Sequence, residues 1–198
     1  MPAEVVIVRT GTANLASVIA AFERLGEAAR ITDDPSEVAD ATRLVLPGVG
    51  TLAAAMASLR ERRLVEVLRD RLRDGRPALA ICLGLQLLCE GSAESPGERG
   101  LCIVPTFAER FTGVRTPHMG WSRVGAIGGT PGGFAYFAHS YRLTDAPPGW
   151  NVSRADHGGA FVGAMFRGAI LACQFHPELS GAWGAALLRG WLSMKGGE

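Results

Sequence analysis

Pro77-Ala-Leu-Ala-Ile-Cys-Leu-Gly-Leu-Gln-Leu-Leu88 is the stretch on which the fold turns. Residues 78–81 form a short apolar run, the pattern of a strand buried on both faces of a parallel sheet. The run stops at Cys82. Leu83 and Gly84 follow, and residues 85–89 read as the start of a helix. A strand, a sharp turn with cysteine at its apex, a glycine two residues on and a helix together make the thiol counterpart of a nucleophile elbow. Such a turn exposes its side chain at the carboxyl edge of the sheet, and a helix N-terminus behind a cysteine generally favours the reactive thiolate. The plain alternative is a buried structural cysteine, which most free cysteines are.

Working outward from this stretch, residues 4–8 (Glu-Val-Val-Ile-Val) form a first apolar strand. Residues 14–25 carry Leu15, Val18, Ile19, Phe22 and Leu25 at helical spacing, with Gly26 as the stop. Residues 28–31 give a second strand, Asp34-Pro35 opens a helix to about residue 41, and residues 43–46 give a third strand broken by Pro47-Gly-Val-Gly50. One long helix is expected over residues 52–74, ending at Gly75. Strands alternating with helices predict an α/β fold with an open, mostly parallel sheet flanked by helices. Functional groups of such sheets lie beyond the carboxyl ends of the strands, where Pro47-Gly-Val-Gly50 and Cys82 both fall.

The texture changes after Cys89. Residues 91–100 read as a polar loop. Short β-like runs follow at 101–104, 121–125, 134–137, 150–153, 160–166 and 170–173, separated by glycine and proline. No linker-like segment divides them, so they are expected as antiparallel additions to the same sheet, in one domain spanning residues 1–198. Residues 180–194 form a closing helix with Trp183, Leu187, Leu188, Trp191 and Leu192 toward the core.

With 47% hydrophobic and 20% charged residues the chain is an ordinary globular protein, and a net charge of +1 offers no electrostatic case for nucleic acid or a membrane surface. The arginines between 60 and 76 are interleaved with acidic residues and read as a solvated helix face. Four cysteines (Cys82, Cys89, Cys102, Cys173) show neither a Cys-x-x-Cys pair nor zinc spacing, so no metal site and no disulfide framework is expected. No signal-type segment precedes the first strand and no apolar run is long enough to cross a bilayer, so the expected compartment is the cytoplasm.

A cysteine nucleophile needs a base to carry its proton and a group to orient that base. Gln174-Phe-His-Pro-Glu178 offers both at a strand end, with Pro177 stiffening the link between His176 and Glu178. Acyl transfer also needs backbone donors for the oxyanion, each worth about 3 kcal/mol. The two glycines around Val49 free an N–H of Val49 or Gly50 to turn toward Cys82, and Leu83 would supply the second.

Pro47-Gly-Val-Gly50, Ile81-Cys-Leu-Gly-Leu-Gln86 and Phe175-His-Pro-Glu178 resemble, in order and spacing, the three motifs of class I glutamine amidotransferases. Asn14-Leu-Ala-Ser-Val18, Pro117-His-Met-Gly-Trp121 and Tyr136-Phe-Ala-His-Ser-Tyr141 resemble one branch of that family, the glutaminase subunits of imidazole glycerol phosphate synthase. The resemblance implies Cys82 as nucleophile, His176 as base, Glu178 as its orienting carboxylate, and the amides of Val49 and Leu83 as oxyanion hole. It implies that Gly50, Gln86 and Glu94 hold the amino-acid end of L-glutamine, with Ser140 and Tyr141 presenting backbone to it. Asn14, His118, Met119, Trp121 and Tyr136 would face a partner, a (β/α)8-barrel cyclase that receives the ammonia and makes imidazole glycerol phosphate and an aminoimidazole carboxamide nucleotide. No metal or organic cofactor is implied.

The chain departs from that pattern at Arg9 (usually aspartate), Ala80 (usually glycine), Ser122 (usually asparagine) and Leu179 (usually basic). His-Pro-Glu-Leu also resembles the glutaminase of pyridoxal phosphate synthase, but that family has Cys-Ala-Gly at the turn and lacks Pro-His-Met-Gly-Trp. A cysteine peptidase would use the same Cys-His-Glu set. Gln86 and Glu94 speak against it, because they suit a free amino-acid head and not a continuing peptide. A non-catalytic interaction module would leave Cys82 inert.

Overall fold

The computed structural model describes residues 4–11 and 13–194. Four successive β-α units come first: β1 (Val5–Val8), α1 (Leu15–Glu23), β2 (Ala29–Thr32), α2 (Pro35–Asp40), β3 (Arg43–Gly48), then α3 (Leu52–Glu61) and α4 (Val65–Arg73), and β4 (Ala78–Cys82) running into α5 (Leu83–Leu87). Short strands β5 (Gly91–Ser92) and β6 (Phe107–Arg110) follow, then a hairpin of β7 (His118–Val124) and β8 (Gly133–His139). β9 (Tyr141–Arg142), β10 (Asn151–Asp156), β11 (Ala160–Arg167), β12 (Ile170–Cys173), a 3-10 turn at Pro177–Leu179 and α6 (Gly181–Ser193) complete the chain.

The main sheet has the order β10-β11-β12-β4-β3-β1-β2. β2, β1, β3, β4 and β12 are parallel, and β11 and β10 are added antiparallel at one edge. Strict alternation along the central strands feeds two cores. Val6, Val8, Leu44, Leu46, Ala78, Ala80, Ile170 and Ala172 pack under α2, α3, α4 and α5. Val5, Ile7, Val45, Leu79, Ile81, Leu171 and Cys173 pack under α1 and α6. Because both faces are covered, strand residues on either side are buried, which is why these strands read as continuous apolar runs. Phe22 of α1 and Trp191 of α6 are fully buried and meet at 6.1 Å between ring centroids. Side chains of this kind each contribute roughly 1.5–3 kcal/mol by leaving water.

Four expectations are corrected. The helix expected over 52–74 is two helices. Arg63 at φ +58° reverses the chain, the Leu64 N–H bonds back to the Leu59 carbonyl at 2.9 Å, and Leu64 drops fully into the core; this is the backbone pattern that ends helices, here built without glycine. Residues 101–104 form no strand. Their amides cap the end of α5 and the turn after it, with Leu101 N–H on Leu87 O at 2.7 Å and Ile103 N–H on Leu88 O at 2.8 Å. The later strands do not all extend the main sheet, since β7 and β8 stand as a separate hairpin and β5, β6 and β9 as a separate three-stranded sheet. β12 joins the main sheet parallel to β4, not antiparallel. In the closing helix Leu187, Leu188 and Trp191 are buried, while Trp183 and Leu192 are only partly covered.

The arginine run is largely architectural. Arg60 pairs with Glu98 and Arg69 with Glu66, while buried Arg71 donates to the carbonyls of Ala39 and Pro77. Among the described residues no helix is long and apolar enough to cross a membrane, and the four cysteines are free.

Candidate active site

Cys82 closes β4 and caps α5, and its backbone sits at φ +55°, ψ −107°. A non-glycine residue held there is strained by about 1–3 kcal/mol, a cost met only where the surroundings over-determine the conformation. Gly84 is part of what determines it. A Cβ on Gly84 would stand 2.0 Å from the Leu46 carbonyl oxygen, so α5 approaches β3 more closely than any side chain allows. Register does the rest: Gly48 pairs with Cys82, and a Cβ on Gly48 would lie 3.0 Å from that of Leu83. The loop carrying Val49 and Gly50, the latter at φ +87°, therefore starts against the residue that follows the cysteine.

β12 lies on the other side of β4, with Cys173 opposite Ile81, and delivers Gln174, Phe175 and His176 to the same edge. His176 N–H bonds to Tyr136 O at 2.9 Å, which ties the segment to β8. His176 Nδ1 donates to Glu178 Oε1 at 2.8 Å. Burial disfavours the imidazolium, but the hydrogen-bonding and electrostatic influence of Cys82 and Glu178 outweighs it and pushes the His176 pKa up to about 10. The surroundings therefore favour a proton on the ring beside the sulfur.

On the far side of Cys82 a cavity of about 300 Å3 is lined by Val49, Gly50, Leu83, Gln86, Glu94, Pro117, Met119 and the segment 138–141. Gln86 is buried, and its Nε2 donates to the Tyr141 and Gln174 oxygens, both at 3.3 Å. Burial raises the Glu94 pKa, partly offset by a backbone hydrogen bond from Leu52. Cys82, Val49, Gly50, Leu83, Gln86, Glu94, Ser140 and Tyr141 thus converge on one cavity. His176, Glu178 and Asn14 line a narrower cleft behind it, together with Gly48 and Val49.

The residues expected to face a partner divide by strand alternation. Met119 and Trp121 point outward from β7, 66% and 56% exposed, and the Trp121 ring meets Tyr136 of β8 edge-on at 6.0 Å. Asn14 is exposed and caps α1 by accepting from the Ser17 N–H. His118 is a correction: it alternates to the inner face, is 4% exposed, and pairs in register with His139. It supports the outer surface from beneath and forms no part of it.

Three groups at the site escaped the sequence reading. His139 lines the cavity. Gln174, fully buried, directs its Nε2 at Cys82 Sγ over 3.9 Å, and the Ala138 carbonyl lies 4.0 Å from the same sulfur. The period-2 pattern of residues 133–139 was the available signal for the inward His139; nothing local marks Gln174.

Comparison with known proteins agrees with this geometry. The profile of the family described as "Glutamine amidotransferase class-I" matches residues 9–192. "Imidazole glycerol phosphate synthase subunit HisH" of Escherichia coli (strain K12) is 41% identical, with 96% of this chain and 99% of that protein aligned. The protein of the same name from Streptococcus gordonii is 38% identical over 92% of each chain. Among solved structures, "Crystal structure of glutamine amidotransferase" superposes with a TM-score of 0.79 at 22% identity, covering 94% of this chain and 96% of that one. "Structure of PurLQS from Thermotoga maritima" superposes at 0.75 and 15% identity, covering 97% and 98%; at these identities the likeness shows the fold. The chain belongs to the class I glutamine amidotransferases, in the branch of the imidazole glycerol phosphate synthase glutaminase subunits.

Proposed function

We propose that residues 1–198 act as one glutaminase domain that hydrolyses L-glutamine at Cys82 and delivers ammonia to a (β/α)8-barrel cyclase in histidine biosynthesis. The observation that carries this reading is the strained Cys82 between a His176 held by Glu178 and a cavity of about 300 Å3. The sulfur attacks the side-chain carbonyl carbon of glutamine, and the developing oxyanion is met by the amides of Leu83 and Val49. His176 gives its Nε2 proton to the departing nitrogen, and ammonia leaves a glutamyl thioester on Cys82. The now neutral His176 takes a proton from water, whose oxygen attacks the thioester carbon; glutamate leaves and the sulfur is regenerated. Glu178 keeps Nδ1 protonated throughout.

Glu94 and the oxygen of Gln86 are suited to the substrate's ammonium group, since Gln86 Nε2 is already engaged. Gly50 and the backbone of Ser140 and Tyr141 line the same end. Met119, Trp121, Phe134 and Leu179 are exposed apolar side chains, and together with Asn14 and Tyr136 they suit the cyclase. The cytoplasm is the fitting compartment for such a biosynthetic pair.

Glutamine hydrolysis measured with the chain alone and with its cognate cyclase plus nucleotide ligand tests the reading. Activity is expected to be low alone, to rise strongly in the complex, and to vanish with Cys82→Ala. Unchanged turnover in Cys82→Ala overturns it.

A further inference from the structure

Three of the four histidines are gathered beside the cavity and take no part in the steps above. His118 and His139 are register partners on the inner face of the β7–β8 hairpin. His118 stacks on His157 at 4.2 Å and on Phe137 at 4.8 Å, and Phe111 meets all three imidazoles edge-on. They do not surround a common centre; among the described residues no group of histidine, cysteine and carboxylate side chains could hold a metal ion.

What joins them is a directed chain of hydrogen bonds. His139 Nδ1 lies 2.8 Å from the Tyr141 carbonyl oxygen, which can only accept, so this nitrogen carries hydrogen. His139 Nε2 lies 3.0 Å from His118 Nδ1. A neutral imidazole donates from one nitrogen and accepts at the other, so His139 Nε2 accepts and His118 Nδ1 donates. His118 Nε2 must then accept, and Ser122 Oγ stands 2.9 Å away as its donor. All three bonds are satisfied by one arrangement of protons only. Both rings are neutral at working pH, since burial pushes His118 down to about 4 and His139 to about 3, with the neighbouring histidines acting in the same sense. The groups facing them are His157 and His176, with Arg142 set over the far face of Phe111.

The chain ends at the cavity. Tyr141 O receives His139 on one side and Gln86 Nε2 on the other, so both of its lone pairs are engaged. The same segment holds Ala138 O near Cys82 Sγ, and Ser140 O accepts from Phe111 N–H at 3.1 Å. Residues 138–141 thus wall the cavity with their backbone fixed from behind.

We propose that His118 and His139 are positioning residues for the substrate: the one-way chain Ser122–His118–His139–Tyr141 fixes the backbone wall against which the amino-acid end of glutamine is held. This rests on the reading of the cavity as the glutamine site. It also gives Ser122 a defined task as the donor at the head of the chain.

Steady-state glutaminase kinetics of the full chain with its cyclase test the proposal. His139→Leu is expected to raise KM for glutamine at least tenfold while kcat changes less. His139→Asn, whose amide can still donate to Tyr141 O, is expected to recover most of that loss. A KM within twofold of wild type in His139→Leu, or no recovery in His139→Asn, overturns it. Should His139→Leu fail to fold, as judged by near-ultraviolet circular dichroism, Ser122→Ala decides. A KM raised at least threefold supports the chain, and an unchanged KM overturns it. A 15N NMR spectrum gives an independent reading: His118 and His139 are expected as Nδ1–H tautomers, and Nε2–H tautomers overturn the assignment. If Cys82→Ala retains glutaminase activity, the fault lies with the site itself; if it is dead while the histidine variants bind normally, only the positioning proposal fails.

Discussion

Glu178 Oε1 accepts the Nδ1 hydrogen of His176 at 2.8 Å, across a turn that Pro177 stiffens between them. The other carboxylate oxygen, Oε2, is buried with no hydrogen-bond partner among the described residues. An acceptor held this way, partly unsatisfied and out of water, attracts a positive charge more strongly than an exposed carboxylate does. Local geometry therefore fixes the tautomer and favours the charged form of the imidazole beside Cys82.

Replacing Glu178 by Gln keeps the shape and removes that charge. The His176 pKa, now held up to about 10 by its bonds to Cys82 and Glu178 against the effect of burial, should fall. Less of the ring would then carry the proton that departing ammonia needs. By analogy with removal of other orienting carboxylates, kcat for glutamine should fall about 100- to 10,000-fold. NMR titration of the His176 ring and glutamine turnover measured on the same variant check the two halves of this expectation.

The elbow itself depends on Gly84. Its hypothetical Cβ meets backbone, the Leu46 carbonyl oxygen at 2.0 Å, and backbone cannot rotate aside as a side chain can. Gly84→Ala should destabilise the protein by about 3 kcal/mol, the upper end for overpacking, as read by urea denaturation. Gly97→Ala is the control. That glycine has open space around it and only a left-handed backbone, φ +84°, so about 1 kcal/mol is expected.

The parallel half of the fold was legible in the sequence because each central strand is buried on both faces and so announces itself as an apolar run. The same logic located Cys82, Val49 and His176 at strand ends. What stayed hidden has physical causes. β6 turns only Ala108 inward between exposed Phe107, Glu109 and Arg110, so no apolar pattern marks it. Residues 101–104 are apolar because Leu101 and Val104 are buried in the core while their backbone amides cap the end of α5, not because they pair in a sheet. His118 sits in a motif that as a whole faces outward, and only strand alternation separates it from Met119 and Trp121. Arg9, one of the departures from the family pattern, makes a surface ion pair with Asp33 at 3.6 Å, and nothing in the structure gives it a role at the site.

Stability should peak near pH 6.5 and fall on both sides, for separate reasons. An unfolded histidine titrates near about 6.5. The folded pKa of His176 is raised, so its contribution is complete below about 6.5 and is lost as pH climbs toward about 10. His118 and His139 are depressed to about 4 and about 3, so their contribution is complete above about 6.5 and is lost as pH falls through those values. Each group changes the slope by about 1.4 kcal/mol per pH unit in its window. With two histidines on the acid side and one on the alkaline side, the acid limb should be the steeper. Urea denaturation at pH 5, 6.5 and 8.5 checks this, and Glu178→Gln should flatten the alkaline limb alone.

The outer face of the β7–β8 hairpin should carry the partner's affinity. Trp121 is 56% exposed, anchored at its edge by Tyr136, and sits between Met119 and Arg123 along the same side of the strand. A large, rigid aromatic side chain left in solvent without a folding role is the kind of group that dominates an interface. Trp121→Glu should weaken binding of the cyclase at least about 30-fold, which is about 2 kcal/mol. Glutaminase stimulation at limiting partner concentration should fall in step. Folding stability should stay within about 0.5 kcal/mol, because the residue packs against little else. Phe107→Ser, at an equally exposed aromatic on the separate sheet of β5, β6 and β9, should leave partner binding unchanged. Titration calorimetry with the purified cyclase distinguishes the outcomes: equal affinity for wild type and Trp121→Glu would move the interface off this hairpin, whereas a matching loss in Phe107→Ser would make the effect one of surface hydrophobicity in general.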